Sequence, residues 1–331
     1  MPDSQVIFAV VVVAAIAFGV VNGANDAANS IATVIGTRNL SPRAALIMAG
    51  VCEFAGAATG TAVAKTIGKG IIVPEALTMG IVLAGVTAVI VWSVAATIKG
   101  MPVSLTHGLV AGMVGAALAH GNPQIIQWAV LGRVFSAVAI APILGFAGGF
   151  SVFLLILWAF RRKRPALVRV LFSKLEIASA AFLAYSHGKN DGQMPIGLIA
   201  MGLMVAGGTG EFEIPRWAVF ASASAISFGT VVGGRSVIRT VGLKMTALNP
   251  SSGFAAEASA ATIIEVASHL GIPVSTTHCV STAIMGVGAT KRLSAVRWSL
   301  AGNIVRTWVL TFPGCALLGF ILGTLLRFAG S

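Results

Sequence analysis

Two short polar motifs occur in the same order in each half of this chain, so any fold for it must be assembled from two copies of one unit. An Asn-Asp pair interrupts apolar sequence at Gly23-Ala24-Asn25-Asp26-Ala27-Ala28-Asn29 and again at Gly188-Lys189-Asn190-Asp191-Gly192-Gln193. Each copy is followed by a second polar island, Pro102-Val103-Ser104-Leu105-Thr106-His107 and then Pro273-Val274-Ser275-Thr276-Thr277-His278. The echo extends further. Lys65-Thr66-Ile67-Gly68 is matched by Arg239-Thr240-Val241-Gly242, and Trp128, Gly132 and Pro142 by Trp298, Gly302 and Pro313, at an offset of about 170 residues throughout.

The sequence between the motifs belongs in a bilayer. Hydrophobic residues make up 56% of the chain and charged residues 10%, with mean hydropathy +0.93, beyond what a soluble core requires. A hydrocarbon layer of about 30 Å takes about 20 helical residues, and apolar blocks of that order lie near 5–36, 44–66, 76–98, 126–160, 175–208, 217–241, 255–269 and 298–326. The runs are continuous rather than alternating, which fits helices and not a barrel. The 39 glycines suit close helix contact. The expected fold is all-α and polytopic, with two inverted-topology repeats, broken helices and re-entrant helical hairpins.

A net charge of +12 raises nucleic acid as a partner, but the basic residues sit between apolar spans, where they orient a membrane protein. The densest group, Arg161 to Arg164 with Arg169 and Lys174, falls where one repeat ends and the next begins. The reading is therefore a first repeat over 1–160, a basic cytoplasmic linker over 161–174 and a second repeat over 175–331. Inversion requires an odd number of crossings in the first repeat, and this is met if the 126–160 block crosses twice. That arrangement puts Arg38, Arg43, Lys99, Arg235, Arg239 and Lys244 inside and Glu211 and Glu213 outside, but leaves Lys291, Arg292 and Arg297 on the outside. Residues 5–21 lack a basic leader and cleavage site and read as a retained helix. Cys52, Cys279 and Cys315 form no disulfide or metal-site pattern.

The segments near 102–119 and 273–289 are short for a span and read as re-entrant helices. A Pro followed by Ser and Thr is a helix start, with backbone N–H groups lacking intrahelical partners. Two such ends, each carrying roughly half a positive charge, can cradle a tetrahedral oxyanion. Ser104, Thr106, Ser275, Thr276 and Thr277 would add hydroxyls, against the alternative that they only cap helices or bond carbonyls. The Asn-Asp motifs offer the opposite chemistry. A carboxylate in the membrane costs about 2.5–3.5 kcal/mol, so Asp26 and Asp191 need cations, protons or donors. An unwound helix could complete an oxygen-lined cation site with Asn25 and Asn190.

Asn22 to Thr33 resembles the signature of the inorganic phosphate transporter (PiT) family, and His187-Gly-Lys-Asn-Asp-Gly-Gln193 resembles its second copy in bacterial low-affinity phosphate importers. Pro-Val-Ser-Thr-Thr-His resembles the family's re-entrant motif. The resemblance covers nearly the whole chain and implies phosphate between paired helix ends, with coupling cations near the Asn-Asp motifs. Leu105 against Thr276, Lys189 against Ala24 and Met194 against Asn29 make the half-sites unequal. The family also includes sulfate permeases, so that alternative stays open, as does proton against sodium coupling and carriage of phosphate as a metal complex. Bringing each anionic charge inward against about 100 mV costs roughly 2.3 kcal/mol, so import needs co-transported cations.

Weaker candidates are Glu53 as a proton or cation site, His107 and His278 as donors to the anion, and Lys189 and Gln193 beside the second motif. Glu257 and Glu265 share one helix face. The six tryptophans read as interfacial anchors or packing. A passive channel gains nothing from paired cation motifs, no P-loop is present for ATP-driven pumping, and Ser104 or Ser275 with its His is the sole arrangement resembling catalysis. The expectation is a multi-pass secondary transporter of the inner (plasma) membrane, not an enzyme, with no resident cofactor, no nucleic-acid partner, and a homodimer left open.

Overall fold

The computed structural model describes residues 4–207, 212–233 and 245–330. Among the described residues every regular element is helical, with one isolated antiparallel bridge between Ile72 and Ile126. The elements are α1 (Ser4–Gly36), α2 (Pro42–Ala58), α3 (Ala62–Gly70), α4 (Met79–Ile98), α5 (Leu105–Leu118), α6 (Trp128–Phe160), α7 (Pro165–Asp191), α8 (Gln193–Gly207), α9 (Arg216–Val232), α10 (Pro250–His269), α11 (Thr276–Lys291) and α12 (Trp298–Gly330). By length and composition α1, α4, α6 and α12 can cross a membrane, and α2 with α3 does so as a pair bent by 65°.

Local sequence explains most starts. Ser41, Thr78 and Asn249 each accept from a backbone N–H three residues on, and Pro42, Pro165 and Pro250 occupy first-turn positions where no N–H is needed. Ser104 and Ser275 cap α5 and α11 through the N–H groups of His107 and His278, at 3.3 and 3.2 Å. Both starts expected from the Pro-Val-Ser motifs are therefore present.

The two halves pack reciprocally. The largest interfaces between the two halves pair α5 with α12 and α11 with α6, and likewise α1 with α9 and α2 with α7. Each helix lies on the partner of its own counterpart. Glycine permits the closest of these contacts, since a Cβ at Gly115 would stand 2.0 Å from the Ala316 carbonyl oxygen and one at Gly286 2.1 Å from that of Phe146. Large apolar side chains such as Val13, Ile143 and Val309 are exposed on the perimeter, as a lipid-facing surface requires.

Four expectations are corrected. The 126–160 block is one continuous helix rather than two crossings. Its 33 residues reach about 50 Å, and Pro142 removes one N–H without ending it. The span expected over 175–208 begins at Pro165 and is divided at Gly192, so most of the presumed 161–174 linker is the first turns of α7, leaving Arg161–Arg164 as the joint. The 44–66 block is broken between α2 and α3. The first Asn-Asp motif is not unwound, because α1 runs through it without interruption. Glu211, Arg235, Arg239 with its motif, and Lys244 lie outside the described residues.

Candidate functional site

Both Asn-Asp motifs and both Pro-Val-Ser motifs meet at one buried point. Asp26 from α1 and Asp191 from the end of α7 are each about 1% exposed. His187, one turn before Asp191, stands between them. Its Nε2 is 3.4 Å from Asp191 Oδ2 and 3.8 Å from Asp26 Oδ2. Ligand atoms of the three residues all fall within 4.8 Å of one another. The Thr276 hydroxyl at the first turn of α11 spans the two carboxylates, 3.4 Å from Asp26 Oδ2 and 3.5 Å from Asp191 Oδ2. Thr277 Oγ1 approaches Asp26 Oδ1 at 3.2 Å and accepts from Asn29 Nδ2 at 2.9 Å.

The helix starts meet tip to tip through a reciprocal pair of bonds. Thr106 Oγ1 donates to the Val274 carbonyl at 3.2 Å, and Thr277 Oγ1 lies 3.0 Å from the Val103 carbonyl. Two helix N-termini, each with free N–H groups and a partial positive charge, therefore face the same small volume. The Asn residues brace the tips from the sides. Asn25 Nδ2 donates to Thr97 Oγ1 at the end of α4 at 2.6 Å. Asn190 reaches Ser268 at the end of α10 at 2.9 Å, and with its amide turned over it donates to Asp191 Oδ1 and the Val274 carbonyl at 3.1 Å each. The amide nitrogens of Asn25 and Asn29 thus find partners on other helices, while Asn25 Oδ1 and Asn29 Oδ1 are left without one, and α1 stays helical through the motif.

Glu53 sits behind the cluster and is fully buried. Its Oε1 accepts from His187 Nδ1 and Ser30 Oγ, each at 2.9 Å, and its Oε2 from Thr230 Oγ1. The Glu53 carboxylate accepts a hydrogen bond from Nδ1–H, and Nε2 is the ring nitrogen turned to the two aspartates. The motif by itself gives His187 no role. Its spacing of four from Asp191 was the available signal, because such residues share a helix face.

The remaining candidates are placed elsewhere. Gln193 caps α3, its Oε1 accepting from Val63 N and Ala64 N at 2.8 and 3.1 Å, while Nε2 donates to the Lys189 carbonyl at 2.6 Å. Lys189 pairs with Glu265. The rings of His107 and His278 pack against one another, with centroids 4.8 Å apart. His107 stacks on Phe312 and His278 packs on Trp308. A second acidic pair was missed. Glu176 accepts from Thr37 and Asn39 at 2.9 and 2.6 Å, and Glu257 accepts from Thr33 and Ser179. Glu257 and Glu265 do share the face of α10 turned to α7, where neither is left to water alone. Trp128, Trp158, Trp217 and Trp298 are largely exposed, as membrane anchors would be, whereas Trp92 donates to Thr311 at 3.2 Å inside the bundle.

Residues 22–319, which contain all four motifs, match the family described as the phosphate transporter family. The chain belongs to that family. It is an inorganic phosphate transporter and a multi-pass membrane protein, not an enzyme. It is 42% identical over 306 residues, covering 92% of each chain, to a "Probable low-affinity inorganic phosphate transporter" of Rhizobium meliloti (strain 1021). A protein of the same description from Bacillus subtilis (strain 168) is 38% identical over 314 residues, 94% of each chain. A solved structure described as "The sodium-dependent phosphate transporter" superposes with a TM-score of 0.92 at 28% identity, covering 98% of this chain and 99% of that one.

Proposed function

We propose that this transporter imports phosphate by binding it against the apposed starts of α5 and α11, with coupling cations held by Asp26 and Asp191. The observation that carries this reading is the convergence of both aspartates, His187 and the Thr276 and Thr277 hydroxyls beside those two starts. The backbone N–H groups suit the anion. Carboxylate and hydroxyl oxygens suit a hard monovalent cation, and a cation there offsets the repulsion between phosphate and the carboxylates. Binding of either therefore favours the other, which is the thermodynamic content of symport. The solved relative is sodium-dependent by its description, and sodium or protons are the coupling ions proposed here. A metal–phosphate complex would present its metal to the same Asp26, His187 and Asp191 atoms.

The proposed topology is an inverted repeat. Tips of the α4–α5 and α10–α11 hairpins touch at the level of Asp26 and Asp191, which supports re-entry of the two hairpins from opposite sides. The first repeat then crosses through α1, the α2–α3 pair and α6, an odd number without any double crossing in α6. Under this topology Lys291, Arg292 and Arg297 fall on the same side as the Arg161–Arg164 joint, in keeping with the positive-inside rule.

The test measures phosphate binding and gradient-driven uptake side by side for Asp26→Asn and Asp191→Asn in proteoliposomes. Each substitution keeps size and removes charge, so accumulation and cation dependence should collapse while anion binding is weakened less. Wild-type accumulation in both variants would place coupling elsewhere.

A further inference from the structure

Three basic residues run against the topology above and stand together. Arg133 lies in the second turn of α6, whose far end abuts the Arg161–Arg164 joint, and Lys65 and Lys69 project from α3 beside it. In the topology above this is the outer face, where the positive-inside rule predicts fewer cations. The three line one cavity of about 260 Å³ together with Thr66, Gly271 and Pro273. No carboxylate lines it, and among the described residues none of the three is ion-paired, although the Lys69 ammonium lies 5.3 Å over the Phe212 ring.

The cavity wall is tied to the central site. Thr66 Oγ1 donates to the Gly271 carbonyl at 2.7 Å, and α3 is capped by Gln193, two residues after Asp191. Gly271 has φ of +69° and would bring a Cβ to within 3.2 Å of the Ala62 carbonyl oxygen, so both its conformation and its packing on α3 require glycine. Pro273, on the cavity wall, precedes the Ser275 cap by two residues. An apolar groove of about 460 Å³ between α6 and α10 shares Arg133, Leu270 and Ile272 with the cavity and is lined onward by Ile140, Leu144 and Val266.

We propose that Lys65, Lys69 and Arg133 form a second oxyanion subsite, outside the central cradle, that takes a phosphate group. Concave clusters of one charge sign focus field and raise local counter-ion concentration, and the Pro273 wall of this one stands two residues from the Ser275 cap, so anion gathered there is held near the central cradle. The same chemistry fits two sources: free inorganic phosphate in transit, or the headgroup of an anionic phospholipid whose acyl chain lies in the adjoining groove. The inference rests on phosphate being the carried anion and on the topology above.

The test compares wild type with the triple variant Lys65→Gln, Lys69→Gln, Arg133→Gln in neutral phosphatidylcholine vesicles and in vesicles containing phosphatidylglycerol. If free phosphate is bound, the variant in neutral vesicles has a KM raised about tenfold at low ionic strength, an unchanged turnover rate and a flattened salt dependence, and Arg133→Lys alone keeps the wild-type salt dependence. If a lipid headgroup is bound, the two proteins behave alike in neutral vesicles, and phosphatidylglycerol raises the Tm of wild type only. The proposal is overturned if KM, its salt dependence and the lipid-induced Tm shift are all the same in both proteins. Wild type that fails to take up phosphate under any gradient would instead sink the functional reading, and the lipid-induced Tm shift would still decide the subsite.

Discussion

Replacing Glu53 with Gln separates the charge of this residue from its hydrogen bonding. Three donors converge on the buried carboxylate, from Ser30, Thr230 and His187. An amide can serve all of them if its oxygen faces Ser30 and His187 and its NH2 faces Thr230, whose hydroxyl then donates to the Gly23 carbonyl 3.3 Å away. The fold should survive. What changes is the bond to His187, from a charge-assisted one worth about 1.5–3 kcal/mol to a neutral one worth about 0.5–1.5 kcal/mol. The difference of roughly 1–1.5 kcal/mol acts on the ring that faces the two aspartates, and about 1.4 kcal/mol is a factor of ten. Cation half-saturation of phosphate uptake in Glu53→Gln proteoliposomes should therefore shift about five- to tenfold, with the unfolding temperature nearly unchanged. Glu53→Ala is the contrast, since three orphaned donors at about 1–3 kcal/mol each should prevent stable folding. A Glu53→Gln transporter with wild-type cation half-saturation would refute the claim that Glu53 acts through His187 on the coupling site.

Two further outcomes follow from the same geometry. Ser104→Ala with Ser275→Ala removes both caps, at about 1 kcal/mol each; phosphate KM should rise while uptake persists, because the N–H groups proposed to face the anion belong to the backbone. Gly188→Ala would force a Cβ to 2.1 Å from the Glu53 carbonyl oxygen, where neither backbone can yield, so overpacking of about 1–3 kcal/mol should lower Tm and abolish driven uptake. Thermal unfolding and uptake on one preparation check both.

The sequence made the repeat, the helix starts and the polar residues of the site readable, because each is a local signal. A Ser after Pro-Val caps a helix whatever surrounds it, and Ser104 and Ser275 do so. What could not be read depends on partners from other helices. Nothing near Asn25 announces Thr97, and nothing near Asp26 announces Thr277, yet these bonds form and α1 stays helical through its motif. Glu53 reads from sequence only as a proton or cation site, and its donors come from α1, α7 and α9. The single crossing of α6 was hidden for another reason. An apolar run of 33 residues with an internal Pro fits a hairpin or one tilted helix equally well by composition, and only its packing along α11 and α10 decides between them.

The repeats share a backbone plan but not a chemistry, and the asymmetry has a direction. In the first half the motif runs on as Ala28-Asn29, and Asn29 joins the Thr277 hydroxyl at the centre. In the second half it runs on as Gly192-Gln193-Met194, the helix is divided there, and Gln193 leaves the centre to cap α3. Asp26 is thus held on a continuous helix, whereas Asp191 sits at a joint whose next residues grip the bent α2–α3 pair. A cation drawn to both carboxylates pulls on a rigid element through one and on a hinged element through the other. The movement that follows binding should therefore concentrate in α7, α8 and α3. Spin labels across the α3–α8 contact should change separation on cation binding more than labels across the α1–α9 contact; equal changes at both would place the moving joint elsewhere.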